Sequence, residues 1–388
     1  MSKINRRNFL RSSAVAALPA LFHANLVSAS SFLTEENPPL PVKFFGDGEM
    51  FEPAEYLSIL QKVNTATPIA RDRYGLGGAV EALEKKFVSL TGKESAVFMP
   101  SGTMANLLAI SVLSGDNTKV IVQETSHVYR DIGDAAQSVF HKRLMPLGKD
   151  EPYFSLTELE QTISGLTEKE AISSDIGVVS IENPVRRKDG RSVPLEEIKK
   201  INAYCKSKNI KMHLDGARIY VASAWSGVSV KEYASYFDTV YISLYKYLGA
   251  SAGAILCGDK TVIDKMHHLI KVHGGSMYSN WLNAAMALHR LDGIEVRFQE
   301  TVKRAGVIVT GLNSIPGVKI SPMTGGTNIY TLDLPKETDA VKLQDRLNKE
   351  FNIRIPRAND KNRIMISMNE TLLYQSADYV ISAFSKII

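Results

Sequence analysis

The chain has 388 residues, 44% of them hydrophobic and 22% charged, enough to bury a full core in about two domains; disordered and fibrous classes are excluded. The formal net charge is +5, but Lys3, Arg6, Arg7 and Arg11 fall in the first 29 residues, which hold no acid, so the remainder carries about +1. Dispersed lysines at that balance give no localised basic surface for a nucleic-acid partner. Cys205 and Cys257 are the only cysteines, so no disulfide framework holds the fold; both read as buried thiols, and the sequence does not say whether they meet.

In chain order, Asn5-Arg-Arg-Asn-Phe-Leu-Arg11 precedes a small-residue apolar stretch from Ala14 to Ala24, then Val27-Ser-Ala29. This pattern predicts a twin-arginine export signal over residues 1–29, too short for a membrane span of about 20 residues. Its competitor is a basic amphipathic start on a cytoplasmic enzyme. Residues 30–53 form an arm, and Glu36-Asn-Pro-Pro-Leu-Pro41 within it predicts an extended entry.

From Ala54 the pattern alternates. Helices are predicted over Glu81 to Leu90, Met104 to Leu113 and Leu195 to Lys206. Strand-length apolar runs lie at Ser95 to Met99, Val120 to Gln123, Gly177 to Ile181, Lys211 to Leu214, Val240 to Leu244 and Ala254 to Cys257. Such alternation predicts an α/β fold, a mostly parallel sheet with helices on both faces. One long helical stretch, Leu282 to Gly306, leads out of this layer. Beyond it, strands at Val318 to Ser321, Asn328 to Leu332, Ile353 to Ile355 and Ile364 to Ser367, with helices Ala340 to Phe351 and Ser376 to Ser385, make a smaller α+β domain. The expected division is a large domain over 54–305 and a small one over 306–388.

Chemistry concentrates at strand ends. Lys246 follows the run Thr239 to Ser243, where a lysine can form an imine with an aldehyde cofactor. Asp215, in His213-Leu-Asp-Gly-Ala-Arg218, can hold a pyridine nitrogen protonated; the alternatives are a turn residue or a metal ligand, and no H-x-x-x-H or C-x-x-C accompanies it to complete a metal site. Pro100-Ser-Gly-Thr-Met-Ala-Asn106 joins a strand to a helix, so Ser101, Gly102 and Thr103 make an anion seat or an ordinary helix cap. Read together, the lysine, the aspartate and the seat point to a pyridoxal 5'-phosphate site. His127, after another strand, can stack on a pyridine face or be a structural histidine. Arg218 can reach the cofactor's phenolic oxygen or a substrate carboxylate, and Arg363 can bind an α-carboxylate or lie on the surface.

From about Gly46 to the C-terminus these segments resemble the low-specificity L-threonine aldolases, in the β-eliminating lyase group of fold-type I pyridoxal phosphate enzymes. The most specific stretches are Leu90 to Ala109, Met212 to Arg218 and the lysine segment. The resemblance implies a seven-stranded, mostly parallel sheet in the large domain, Lys246 as the Schiff-base lysine, Asp215 on the pyridine nitrogen and His127 as the stacking ring. It places Ser101, Gly102 and Thr103 at the phosphate and Arg218 and Arg363 near the substrate carboxylate, and it implies a homodimer or homotetramer.

The chain departs from the family at Glu182-Asn-Pro-Val185, where the family reads Glu-Asn-Thr-His, so the histidine that would contact a β-hydroxyl is replaced by Val185. Tyr74-Gly-Leu-Gly-Gly78 and Gly274-Gly-Ser-Met-Tyr-Ser279 also differ, and Tyr245 and Tyr247 flank the lysine where smaller residues are usual. The expected function is a lyase that cleaves a β-hydroxy-α-amino acid to glycine and an aldehyde, with Lys246, Asp215 and His127 catalytic, in the periplasm after passage through the twin-arginine translocon. The alternatives are β-elimination, transamination or racemisation with the same cofactor, and a catalytically decayed, exported binding protein.

Overall fold

The computed structural model describes residues 40–171, 174–359 and 361–388. The expected export signal and the arm as far as residue 39 lie outside the described residues. Residues 40–388 form one compact unit.

Its centre is a seven-stranded sheet. The strands are β2 (Ser95–Met99), β3 (Lys119–Gln123), β4 (Arg143–Leu147), β5 (Ile176–Glu182), β6 (Lys211–Asp215), β7 (Thr239–Ser243) and β8 (Ala254–Gly258), in the order β2-β8-β7-β6-β5-β3-β4. Only β8 runs antiparallel to its neighbours. Residues of β3, β5, β7 and β8 are buried throughout, which explains their unbroken apolar reading: helices cover both faces, so neither face needs polar side chains. The edge strand β4 went unpredicted because Pro146 interrupts its pattern. An edge tolerates that proline, since the missing N–H faces no further strand.

The helix Gly102–Ser114 packs against the sheet with Ala105, Asn106, Leu107, Leu108, Ala109 and Ile110 all buried. The expected single helix from Leu282 to Gly306 is two, Trp281–Leu291 and Ile294–Asn313, broken where Gly293 adopts a left-handed φ of 63°. The second sends Phe298 against Tyr247, ring centroids 5.4 Å apart.

A second buried cluster gathers Ala305, Ile308 and Leu312 with a three-stranded antiparallel sheet of β9 (Lys319–Pro322), β10 (Ile329–Asp333) and β12 (Arg363–Ser367) and the helix Ala340–Phe351. The arm belongs to this layer. Its strand β1 (Val42–Lys43) pairs in parallel with β11 (Ile353–Arg354), and Val42 and Phe44 are fully buried in the same cluster. Strands β3, β5, β6 and β7 end on one edge of the large sheet, and the arm returns beside that edge, the usual ligand crevice of a parallel sheet. Among the described residues no helix is long and apolar enough to cross a membrane. Cys205 and Cys257 are separate, buried thiols, both pushed up to about 12 by burial.

Candidate active site

Asp215 ends β6 and is almost fully buried. Its Oδ1 accepts from the Ala217 backbone N–H at 3.1 Å and its Oδ2 from Asn106 Nδ2 at 2.7 Å. Asn106 Oδ1 must then accept, which puts a hydrogen on His213 Nε2, 2.9 Å away, and makes Nδ1 the acceptor for the Thr239 hydroxyl at 2.8 Å. Burial pushes His213 down to about 4, consistent with a neutral ring in this chain. Three side chains and one backbone N–H thus fix the direction of one carboxylate.

Lys246 lies three residues past β7 and lines a cavity of about 250 Å³ with Asp47, His127, Glu182, Arg186, Asp215, Arg218 and Tyr245. Burial, then the nearby Arg218 charge, lower its amine to about 8. His127 enters the same cavity. Its backbone N–H donates to Glu182 Oε2 at 2.7 Å, and its Nδ1 faces Asp131 Oδ2 at 3.2 Å. Because Asp131 can only accept, Nδ1 carries the hydrogen, and in the neutral ring Nε2 is the acceptor. Burial pushes the Asp131 carboxyl up, but Arg187 and Arg186 outweigh it and hold the group well below the usual carboxylate range.

Glu182 and Asp47 are the residues that sequence reasoning missed. Glu182 ends β5 directly opposite Asp215, and its second oxygen accepts from the Arg186 backbone N–H at 2.9 Å. Burial, then the Asp215 charge, push Glu182 up to about 7. Asp47 comes from the arm and receives both edge donors of Arg218, Nε to Oδ1 at 2.6 Å and Nη2 to Oδ2 at 2.7 Å. Burial raises Asp47, and the paired Arg218 more than reverses this. Glu182, as the last polar residue of a buried strand, carried a readable signal. Asp47 carried none, because 171 positions separate it from its partner.

Ser101, Gly102 and Thr103 open the helix that carries Asn106 one turn later, and Ser101 Oγ caps it by accepting from the Met104 N–H at 3.2 Å. These three do not line the cavity around Lys246. Their helix meets the cavity through Asn106, which holds the lining Asp215, while Gly102 packs so closely on Tyr241 that a Cβ there would lie 1.9 Å from its hydroxyl.

Arg363 lines neither cavity. It starts β12 directly opposite Asp333, which takes its Nε at 2.6 Å and its Nη2 at 3.1 Å, and it is half exposed. The β12 residues that reach the site are Met365, Ile366 and Ser367, which line a second cavity of about 310 Å³ with Phe44, Phe45, Pro184, Tyr247 and Asn328. Arg363 lies two residues, about 7 Å of extended chain, before Met365, the first of these. The second cavity shares Asp47, Arg186 and Arg218 with the first. Val185, in place of the family histidine, is fully buried, and its backbone is hydrogen-bonded to Arg191; the next residue, Arg186, reaches the cavities instead.

The chain is similar to known proteins over most of its length. A curated relative, "Probable low-specificity L-threonine aldolase 2" of Arabidopsis thaliana, is 30% identical over 311 residues, 79% of this chain and 86% of that one. The low specificity L-threonine aldolase of Escherichia coli (strain K12) is 29% identical over 235 residues, 61% of this chain and 69% of the relative. The fold is shared with the solved "Putative aromatic amino acid beta-eliminating lyase/threonine aldolase" of Exiguobacterium sp. 255-15, with a TM-score of 0.75 at 24% identity over 90% of this chain and 96% of that one. The beta-eliminating lyase model matches residues 59–334, and the chain belongs to that family.

Proposed function

We propose that this protein is a pyridoxal 5'-phosphate-dependent lyase that cleaves a threonine-like β-hydroxy-α-amino acid to glycine and an aldehyde. The observation that carries the reading is that Lys246, with its amine lowered to about 8, shares one cavity with Asp215, whose two oxygens are already aimed by Asn106 and Ala217.

The residues fit the cofactor. An aldehyde needs a neutral amine, which burial favours at Lys246. A pyridine N–H needs an acceptor, and Asp215 keeps lone pairs beyond the two donors it holds. A phosphate needs free N–H groups, and the helix Gly102–Ser114, whose Asn106 holds Asp215, offers those of its first turn. When bound, pyridoxal phosphate supplies the electron sink that takes up charge as the Cα–Cβ bond breaks.

The chain's own groups do the rest. His127 presents Nε2 as an acceptor for the β-hydroxyl proton, a task that the buried Val185 cannot perform. Glu182 holds the His127 backbone in place, and the Arg218–Asp47 pair closes the cavity from the arm side. A positioned base counts against the β-elimination, transamination and racemisation readings, which Val185 had suggested. A decayed binding protein has no need of a relay that aims Asp215.

The test is aldehyde release from threonine, allo-threonine and phenylserine by purified, cofactor-supplemented protein, beside Lys246→Ala. Aldehyde and glycine in equal amounts, lost in the variant, support the reading; ammonia or pyruvate without glycine overturns it.

The proposal extends to export through the twin-arginine translocon to the periplasm, supported by Arg6-Arg7 and the apolar stretch after them. Fractionation of cells carrying the chain with and without Arg6→Lys and Arg7→Lys checks it. A homodimer or homotetramer is supported by the exposed Tyr74, Leu76, Met277 and Tyr278 beside the anion seat, and sedimentation checks that.

A further inference from the structure

We propose that Arg186 binds the α-carboxylate of the substrate, in place of Arg363. The inference rests on the lyase reading above, and it follows from asking which cation in the cavities has donors to give.

Arg186 and Arg218 are the arginines that line both cavities. Arg218 is committed. Its Nε and Nη2 meet the two oxygens of Asp47 as a parallel pair, and its side chain is only 15% exposed. Moving that fork to a substrate would leave the Asp47 carboxylate, itself mostly covered, without its partner. Arg363 already gives its Nε and Nη2 to Asp333, and it lines neither cavity.

Arg186 is differently placed. Its guanidinium makes one hydrogen bond, Nη2 to Asp131 Oδ2 at 2.8 Å, and the side chain is 48% exposed, where an ion pair holds weakly. Asp131 does not depend on it, because Arg187 donates to Oδ1 through both Nε and Nη2 and His127 remains on Oδ2. The Arg186 backbone is fixed by its N–H on Glu182 Oε1 at 2.9 Å. The guanidinium can therefore exchange the carboxylate of Asp131 for that of a substrate while its attachment stays still. Arg186 directly follows Val185, so the segment that has a valine at the position of the expected histidine carries a cation to the site.

The experiment uses the cofactor-loaded protein and reads binding by the change in its visible absorbance, with glycine and its neutral isostere glycinamide as ligands. In Arg186→Gln the dissociation constant for glycine should rise about 10- to 100-fold, the effect of losing hydrogen bonds between charged groups. That for glycinamide should stay within about twofold, since the variant removes only the carboxylate's partner. Arg186→Lys should recover part of the glycine affinity, and Arg363→Gln should leave both constants unchanged. An unchanged glycine constant in Arg186→Gln, or an equal loss for glycine and glycinamide, overturns the proposal. A protein that takes up the cofactor and releases aldehyde but shows either result would keep the lyase reading and lose the Arg186 assignment, whereas no visible band in the unmodified protein would remove both.

Discussion

Asn106 joins Asp215 to His213: its Nδ2 donates to the carboxylate at 2.7 Å, and its Oδ1 accepts from the imidazole at 2.9 Å. Asn106→Ala would remove the middle of this buried relay and leave Asp215 Oδ2 and His213 Nε2–H each without a partner. Two unsatisfied buried groups destabilise a fold by about 2–6 kcal/mol. The cofactor-free variant should melt lower, and its titration with pyridoxal phosphate should saturate later, because the freed carboxylate no longer points one way. A variant that melts lower but binds cofactor as tightly as the parent would reduce the relay to packing.

Gly102→Ala tests the anion seat. The added Cβ would fall 1.9 Å from the hydroxyl and 2.3 Å from Cζ of Tyr241, a ring that is 2% exposed and has no room to retreat. Overpacking of this kind costs about 1–3 kcal/mol. It would also move the first turn of the helix on which the phosphate is expected to sit. Thermal melting and cofactor retention on gel filtration should fall together. Thr103→Ala, which brings no clash, should lower retention with little change in melting.

The Lys246 amine, lowered to about 8 from the ordinary 10.5, sets a pH profile. Only the neutral amine attacks an aldehyde, so the rate at which cofactor-free protein takes up pyridoxal phosphate should rise with pH through a midpoint near 8. The unfolded chain binds one proton more at this site between pH 8 and 10.5, so the same group adds stability as pH climbs through that window. Arg218→Gln should move the uptake midpoint upward, because it removes a repelling charge and leaves Asp47 unpaired beside the lysine.

Lys246, Asp215 and His127 were legible because each follows a buried apolar run, and a polar residue at the end of such a run is carried to the ligand edge of a parallel sheet. The partner of Arg363 is disclosed by no local pattern: Asp333 lies 30 residues earlier, on a strand whose register brings the two face to face. Asp47 stayed hidden because the arm looked like an entry segment, while in the fold Val42 and Phe44 anchor it to the small layer and deliver the next acid to Arg218. The helix break at Gly293 and the edge strand around Pro146 were concealed by the opposite error, reading glycine and proline without their neighbours.

Glu182 and His213 make opposite contributions to acid stability. Glu182 is raised from 4.5 to about 7, so between these values the folded protein holds a proton that the unfolded chain has lost, and stability falls as pH rises. His213 is lowered from 6.5 to about 4, so between those values the unfolded chain holds the extra proton, and stability falls as pH drops. Between about pH 4.5 and 6.5 the two slopes, each about 1.4 kcal/mol per pH unit at most, oppose one another. Denaturant melts of the cofactor-free protein across this range should therefore show a shallower dependence on pH than either variant. Glu182→Gln should make stability fall steeply toward acid, because the histidine then acts unopposed; His213→Gln should tilt it the other way, with stability falling as pH rises, because the glutamic acid then acts unopposed. If both variants tilt the profile in the same direction, the pairing of a protonated glutamic acid with a neutral histidine around Asp215 is wrong.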